Sequence, residues 1–197
     1  MTDTESSVLD ILDIKSRCIL KENIDLDQRV IHLNTGIGLK SLDKLTRSLS
    51  FLESIGSEPI TIVINSPGGS IYDAFAIIDR IQNSSCVIIT VGTGLVASAA
   101  IPILASGNIR KATKHCSLMY HEPSFNMPLE RLAAADSETK HVKYLSQRLN
   151  KFMAASTDES YSYWVKAGKY VDFYFDADKA LELGIIDEIV QGAQDVV

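Results

Sequence analysis

The run Ile60-Thr61-Ile62-Val63-Ile64 constrains this chain more than any other segment. Every side chain in it is β-branched, and polar and apolar residues do not alternate. It therefore fits a strand covered on both faces, not one half-exposed to water. Covering two faces takes helices on either side, and the neighbouring sequence supplies them. Arg29-Val30-Ile31-His32-Leu33 reads as an earlier strand, followed by a turn at Gly36 and Gly38. Ser41 then caps a helix whose Leu42, Leu45, Leu49 and Leu52 share one face, and Gly56 ends it. A helix over 71–82, a strand over 86–91 and a helix over 99–105 follow. Such alternation implies βαβ units with right-handed crossovers, hence an α/β fold built on a parallel sheet.

The later sequence extends this plan. Leu129, Leu132, Ala133, Val142, Leu145, Leu149 and Phe152 recur near helical spacing amid many charges. A helix over about 129–155 is expected to project or to pack against another subunit. Asp176 caps a short helix ended by Gly184, and residues 185–190 form a closing strand. With 197 residues, 46% of them apolar, and no repeat or linker to divide them, a single domain over 1–197 is expected.

A net charge of -6, with no lysine- or arginine-rich stretch, argues against nucleic acid and against an anionic membrane surface as partner. A polypeptide-like substrate fits better. Cys18, Cys86 and Cys116 form no CxxC pair, so they read as reduced thiols rather than a disulfide framework or a zinc site. The opening Met1-Thr2-Asp3-Thr4-Glu5 lacks the basic region and apolar core of a signal peptide, and a cytoplasmic location is expected. The apolar stretch 87–105 is interrupted by Gly92, Gly94, Ser98 and Pro102, which suits a buried strand and helix better than a membrane span.

Two strand-to-helix junctions carry the candidate chemistry. Asn65-Ser66-Pro67-Gly68-Gly69 can turn its amides outward beside the following helix, where they could hold an oxyanion, a phosphate or a carboxylate. The same residues also suit a tight turn that holds nothing. At the second junction Ser98 lies in Gly94-Leu95-Val96-Ala97-Ser98-Ala99-Ala100-Ile101, at the carboxyl end of a parallel strand, where open α/β sheets place their sites. Its alkoxide would feel the helix dipole and the Ala99 amide could donate to a tetrahedral oxyanion; equally, Ser98 suits a plain helix N-cap. Of four histidines, His121 ends a short apolar strand and is the best-placed base, whereas His32 lies within a strand and His115 and His141 sit among polar residues. A third group must hold the imidazole tautomer, and Asp172, set in the aromatic stretch Tyr170–Phe175, stands out among late carboxylates. Asp176 and Asp187 read as a helix cap and a turn residue.

Asn65–Gly69, Gly94–Ala99, Met119-Tyr120-His121-Glu122-Pro123, and Asp172 followed by Ala180-Leu181-Glu182-Leu183-Gly184-Ile185-Ile186-Asp187 resemble the ClpP serine peptidases in order and spacing. The resemblance spans about Arg29 to Val190. It implies the ClpP/crotonase-like fold of repeated β-β-α and βαβ units, with a protruding handle helix in about 123–155, and residues 1–13 either trimmed or forming a flexible axial loop. It implies Ser98 as nucleophile, His121 as general base and then acid, Asp172 as orienting carboxylate, and an oxyanion hole from the Gly69 and Ala99 amides. No metal or cofactor is implied in the subunit. The resemblance also implies a homo-oligomer, heptamer or tetradecamer, whose chamber receives unfolded polypeptide from an AAA+ Clp unfoldase.

Four positions depart from the family pattern. Glu122 stands where the family usually has glutamine, ahead of Pro123-Ser124-Phe125-Asn126-Met127-Pro128 in place of a glycine-rich strand. Val171 replaces an arginine that bridges rings, and Thr61 and Val63 replace tyrosines that line the groove for unfoldase loops. Such departures suit a divergent member, as in phages or organisms with several paralogues, and leave open a noncatalytic ring subunit or a hetero-oligomer with paralogous subunits. A crotonase-type acyl-CoA enzyme shares the fold and the glycine-rich oxyanion hole, but needs no serine nucleophile.

Overall fold

The computed structural model describes residues 18–123, 135–169 and 171–191. Residues 1–13, expected to be trimmed or to form an axial loop, and part of the expected handle, 124–134, lie outside these. After a π-helical turn, Cys18–Glu22, come strands β1 (Ile24–Asp25) and β2 (Val30–Leu33), then helix α1 (Leu39–Ile55). Strand β3 (Ile60–Ser66), helix α2 (Ile71–Gln82), strand β4 (Ile88–Ala97) and the short helix α3 (Ala100–Leu104) follow. The chain continues with β5 (Ile109–Thr113), β6 (Ser117–Tyr120), α4 (Ala135–Ser156), α5 (Tyr161–Ala167), β7 (Phe173–Asp176), α6 (Ala177–Glu182) and β8 (Glu188–Val190).

The β-branched run is the centre of the sheet. Strands β2, β3, β4, β5 and β8 lie side by side and parallel, and β1 adds an antiparallel edge to β2. Ile60, Ile62 and Ile64 are wholly buried and Thr61 and Val63 nearly so, as a strand covered on both faces requires. Thr61 and Val63 are themselves largely covered in this subunit.

Helix α1 buries Leu45, Leu49 and Leu52 along one stripe, and α2 buries Ile71, Ala74, Ile77, Ile78 and Ile81. Each of these leucines and isoleucines contributes about 1.5–3 kcal/mol of transfer free energy. The two helices are tied by Arg80, which donates to both carboxylate oxygens of Glu53, at 3.0 and 2.5 Å. The side-chain bond from Arg80 is the main reason that the Glu53 carboxyl is held below the usual carboxylate range.

Several boundaries differ from those read in the sequence. Gly38, not Ser41, caps α1; Ser41 sits in the first turn and its Oγ accepts from the Gly38 amide at 2.9 Å while donating to the Gly38 carbonyl. Strand β4 does not stop at Val91 but runs to Ala97, because a new partner takes over the ladder: β5 pairs with it over Ile89–Gly92 and β6 over Leu95–Ala97. The closing strand is limited to Glu188–Val190, with Ile185 and Ile186 buried ahead of it. The stretch 87–105 is a strand and a buried five-residue helix, and among the described residues no helix is long and apolar enough to cross a membrane. Helix α4 does not simply project: its Leu145, Leu149 and Met153 are buried in this subunit's own core, while Tyr144 stays half-exposed.

Candidate active site

The candidate residues form one row across three adjacent strands. Strands β4 and β6 pair in parallel up to Ala97 and Met119, and the Ser98 amide extends that ladder by donating to the Met119 carbonyl at 2.7 Å. Strands β6 and β7 pair antiparallel, with Tyr120 opposite Phe173, so the next step of the ladder sets His121 opposite Asp172. All three side chains thus stand at the carboxyl end of β4 and β6, where ligands of parallel sheets are held. Ser98 Oγ lies 2.7 Å from His121 Nε2, a hydrogen bond of ordinary length. Asp172 Oδ1 lies 3.4 Å from His121 Nδ1 and is half-exposed, so that contact is an ion-pair distance longer than a formed N–H···O bond. In this arrangement Nε2 can accept the serine proton while the carboxylate faces the opposite nitrogen.

Ser98 is not the helix N-cap. That place belongs to Ala99, and Ser98 holds φ at +54°, outside the extended region that capping residues use. The tight turn presents Oγ to the histidine instead of to helix amides, as a nucleophile at a strand-to-helix elbow must be presented. The glycine pair braces this elbow from the other side. At Gly68, with φ of +87°, a Cβ would fall 2.5 Å from the Ala97 carbonyl oxygen and 2.7 Å from Ser98 Cβ. Gly69 forms a bridge with Ile37 in which Ile37 bonds the Gly68 carbonyl and the Ser70 amide, leaving the N–H of Gly69 directed away from Ile37. Ser98, His121, Gly69 and Ala99 all line one cavity of about 500 Å³, walled further by Ile71, Tyr72, Met119 and Leu149. Neither the Gly69 nor the Ala99 amide makes a hydrogen bond among the described residues, so both can donate to a bound oxyanion.

The other candidates fall away from this cavity. His32, His115 and His141 are exposed. Asp176 caps α6 through the Lys179 amide at 2.9 Å. Asp187 is more than a turn residue: it accepts from Arg110 Nε at 3.1 Å and Nη2 at 2.5 Å and from the Arg110 amide at 2.8 Å. Burial pushes the Cys116 thiol up to about 12, so it stays protonated and supplies no competing thiolate. Val171 is 64% exposed beside Asp172. Asn65 is a contributor that sequence reasoning left inside its loop: its Oδ1 accepts from the Leu95 amide at 3.1 Å and braces β4 where Gly94 bends it. An asparagine ending one strand opposite a glycine in the next is the only trace of this in the sequence.

Known proteins resemble this chain in both sequence and structure. It is 31% identical over 185 residues to ATP-dependent Clp protease proteolytic subunit 1 of Prochlorococcus marinus (strain MIT 9312), covering 91% of this chain and 89% of that one. It is 34% identical over 173 residues to proteolytic subunit 2 of Nocardia farcinica, covering 85% and 83%. A solved structure of a ClpP1 mutant from Listeria monocytogenes superposes with a TM-score of 0.80 at 29% identity, covering 87% of this chain and 96% of that one. Because the Clp protease family model matches residues 15–193 as well, the chain belongs to the Clp protease family.

Proposed function

We propose that this chain is the proteolytic subunit of an ATP-dependent Clp protease, a serine endopeptidase in which Ser98, His121 and Asp172 form the catalytic triad. The observation that carries the reading is the 2.7 Å bond between Ser98 Oγ and His121 Nε2 at a serine held with positive φ. Ser98 Oγ attacks the peptide carbonyl carbon as its proton passes to His121 Nε2, and the carbonyl π electrons move onto oxygen. The oxyanion faces the amides of Gly69 and Ala99. Collapse breaks the C–N bond, His121 returns its proton to the leaving amine, and an acyl-enzyme remains on Ser98. Water then attacks the ester, giving its proton to His121, and Ser98 Oγ recovers that proton as the carboxylic acid departs. Asp172 accepts from Nδ1–H and stabilises the imidazolium, which requires the 3.4 Å contact to shorten when substrate is bound.

The same reading covers residues 1–197 as one peptidase domain working in the cytoplasm without a bound cofactor. The subunit assembles into heptameric rings that enclose a degradation chamber, and an AAA+ Clp unfoldase supplies unfolded polypeptide. Support comes from the family match across residues 15–193 and from relatives named as Clp proteolytic subunits.

The test is a fluorophosphonate probe followed by mass spectrometry. The adduct should map to Ser98, and Ser98→Ala should lose both adduct and peptide hydrolysis. An assembled particle with neither would leave a noncatalytic ring subunit as the surviving account. Protonated His121 has no lone pair at Nε2, so kcat/KM should fall on the acid side; a flat profile would remove His121 from the role of base.

A further inference from the structure

The residue in front of His121 carries a polar group that the chemistry above does not use. Tyr120 is 1% exposed, yet its hydroxyl donates to Asn150 Oδ1 at 2.6 Å. Asn150 is itself 2% exposed and stands on α4, next to Leu149 in the wall of the cavity. Burial pushes the Tyr120 phenol well above its ordinary range, and the Glu122 carboxylate adds to this, so the group remains an O–H donor. Its ring meets Trp164 edge-on, with centroids 4.8 Å apart. Trp164 Nε1 donates to Thr157 Oγ1 at 3.0 Å, and Thr157 donates to the Met153 carbonyl, which returns the chain of contacts to α4.

The main chain on both sides of Tyr120 is also held. Met119 accepts from the Ser98 amide, and the Glu122 amide donates to the Gly168 carbonyl at 3.1 Å. Even a methyl group at Gly168 would come within 3.0 Å of the Glu122 nitrogen and of the Tyr120 ring. Phenylalanine would fill the same space without asking for a partner. A buried hydroxyl that must meet a buried amide fixes geometry more narrowly than apolar packing does, because a missed bond leaves both groups unsatisfied. His121 follows Tyr120 directly on this held segment, 2.7 Å from Ser98 Oγ and 3.4 Å from Asp172.

We propose that Tyr120 and Asn150 are a positioning pair for His121. Their bond ties β6 to α4 and sets the imidazole between Ser98 and Asp172, so the seating of α4 governs turnover. The proposal rests on His121 acting as the base.

The experiment compares Tyr120→Phe, Asn150→Leu and the double variant as full-length assembled protein, reading Tm, kcat, KM and the pH profile on a fluorogenic peptide. Tyr120→Phe should lower kcat on the order of 10- to 100-fold with KM unchanged and shift the acid limb of kcat/KM. The double variant removes the unsatisfied amide along with the hydroxyl, so its Tm should recover while kcat stays low. Recovery of kcat together with Tm in the double variant, or parental turnover in Tyr120→Phe, overturns the proposal. The double variant carries the same comparison if Tyr120→Phe does not fold. Failure of the unsubstituted protein to label at Ser98 overturns the catalytic reading itself, and is seen without any of these variants.

Discussion

A left-handed backbone at Ser98 costs about 1 kcal/mol or more for a residue with a Cβ, and that cost sits at the proposed nucleophile. Removing the hydroxyl alone leaves the strain in place; removing Cβ as well relieves it. Ser98→Gly should therefore melt about 2–4 °C above Ser98→Ala, both being inactive. Equal melting temperatures would mean that the elbow is unstrained. Gly68→Ala tests the opposite wall. Its Cβ would meet backbone atoms that cannot swing aside, so peptidase activity should be lost along with about 1–3 kcal/mol of stability. An active, stable Gly68→Ala protein would contradict that close approach. At this scale Ser98 alone read as a helix cap as readily as a nucleophile, and only its order relative to Gly69, His121 and Asp172 singled it out. The sequence was silent on Tyr120 and Asn150, which stand 30 positions apart and read separately as a strand aromatic and a helix polar residue. Only the packing of α4 on β6 makes them partners.

Among the elements, β5, α4 and the segment before β8 meet at one arginine. Arg110 donates to the Ser156 and Gly184 carbonyls and grips Asp187, so a single guanidinium satisfies the ends of three segments. Burial by itself would raise the Asp187 carboxyl, but the bonds from Arg110 outweigh it and hold the group below the ordinary aspartate value. A carboxylate with a lowered folded value stabilises the fold above its unfolded value, about 3.9, and loses that contribution as pH falls through the folded one. Asp187→Asn should thus melt below the parent at pH 7, and the two curves should converge in strongly acidic solution. A gap that is constant with pH would show the carboxylate charge to be idle. The alternation of strands and helices was legible because periods of two and of 3.6 leave different apolar patterns. Boundaries were less so. Gly92 and Gly94 looked like terminators of β4, and only its exchange of β5 for β6 keeps the ladder going past them. Asp187 looked like a turn residue because its partner lies 77 positions away.

For the molecule as a whole, the site straddles two kinds of sheet. Ser98 ends a strand embedded in the parallel core, whereas His121 and Asp172 stand on the antiparallel ribbon β6–β7. That ribbon consists of two four-residue strands, β7 pairs with nothing else among the described residues, and its Tyr174 is 61% exposed. The parallel strands are shielded by α1, α2 and α3 and should be the last region to open. Amides of β7, whose outer edge is unpaired among the described residues, should exchange with deuterium well before those of β3, and on slow warming peptide hydrolysis should fade below the main unfolding transition. Simultaneous loss of activity and of β3 protection would show the two parts to be one cooperative unit. On the first outcome the proposed proteolysis is governed by a joint, and durability by the slab behind it, so a brief heat shock would leave a subunit idle, intact and able to resume work on cooling.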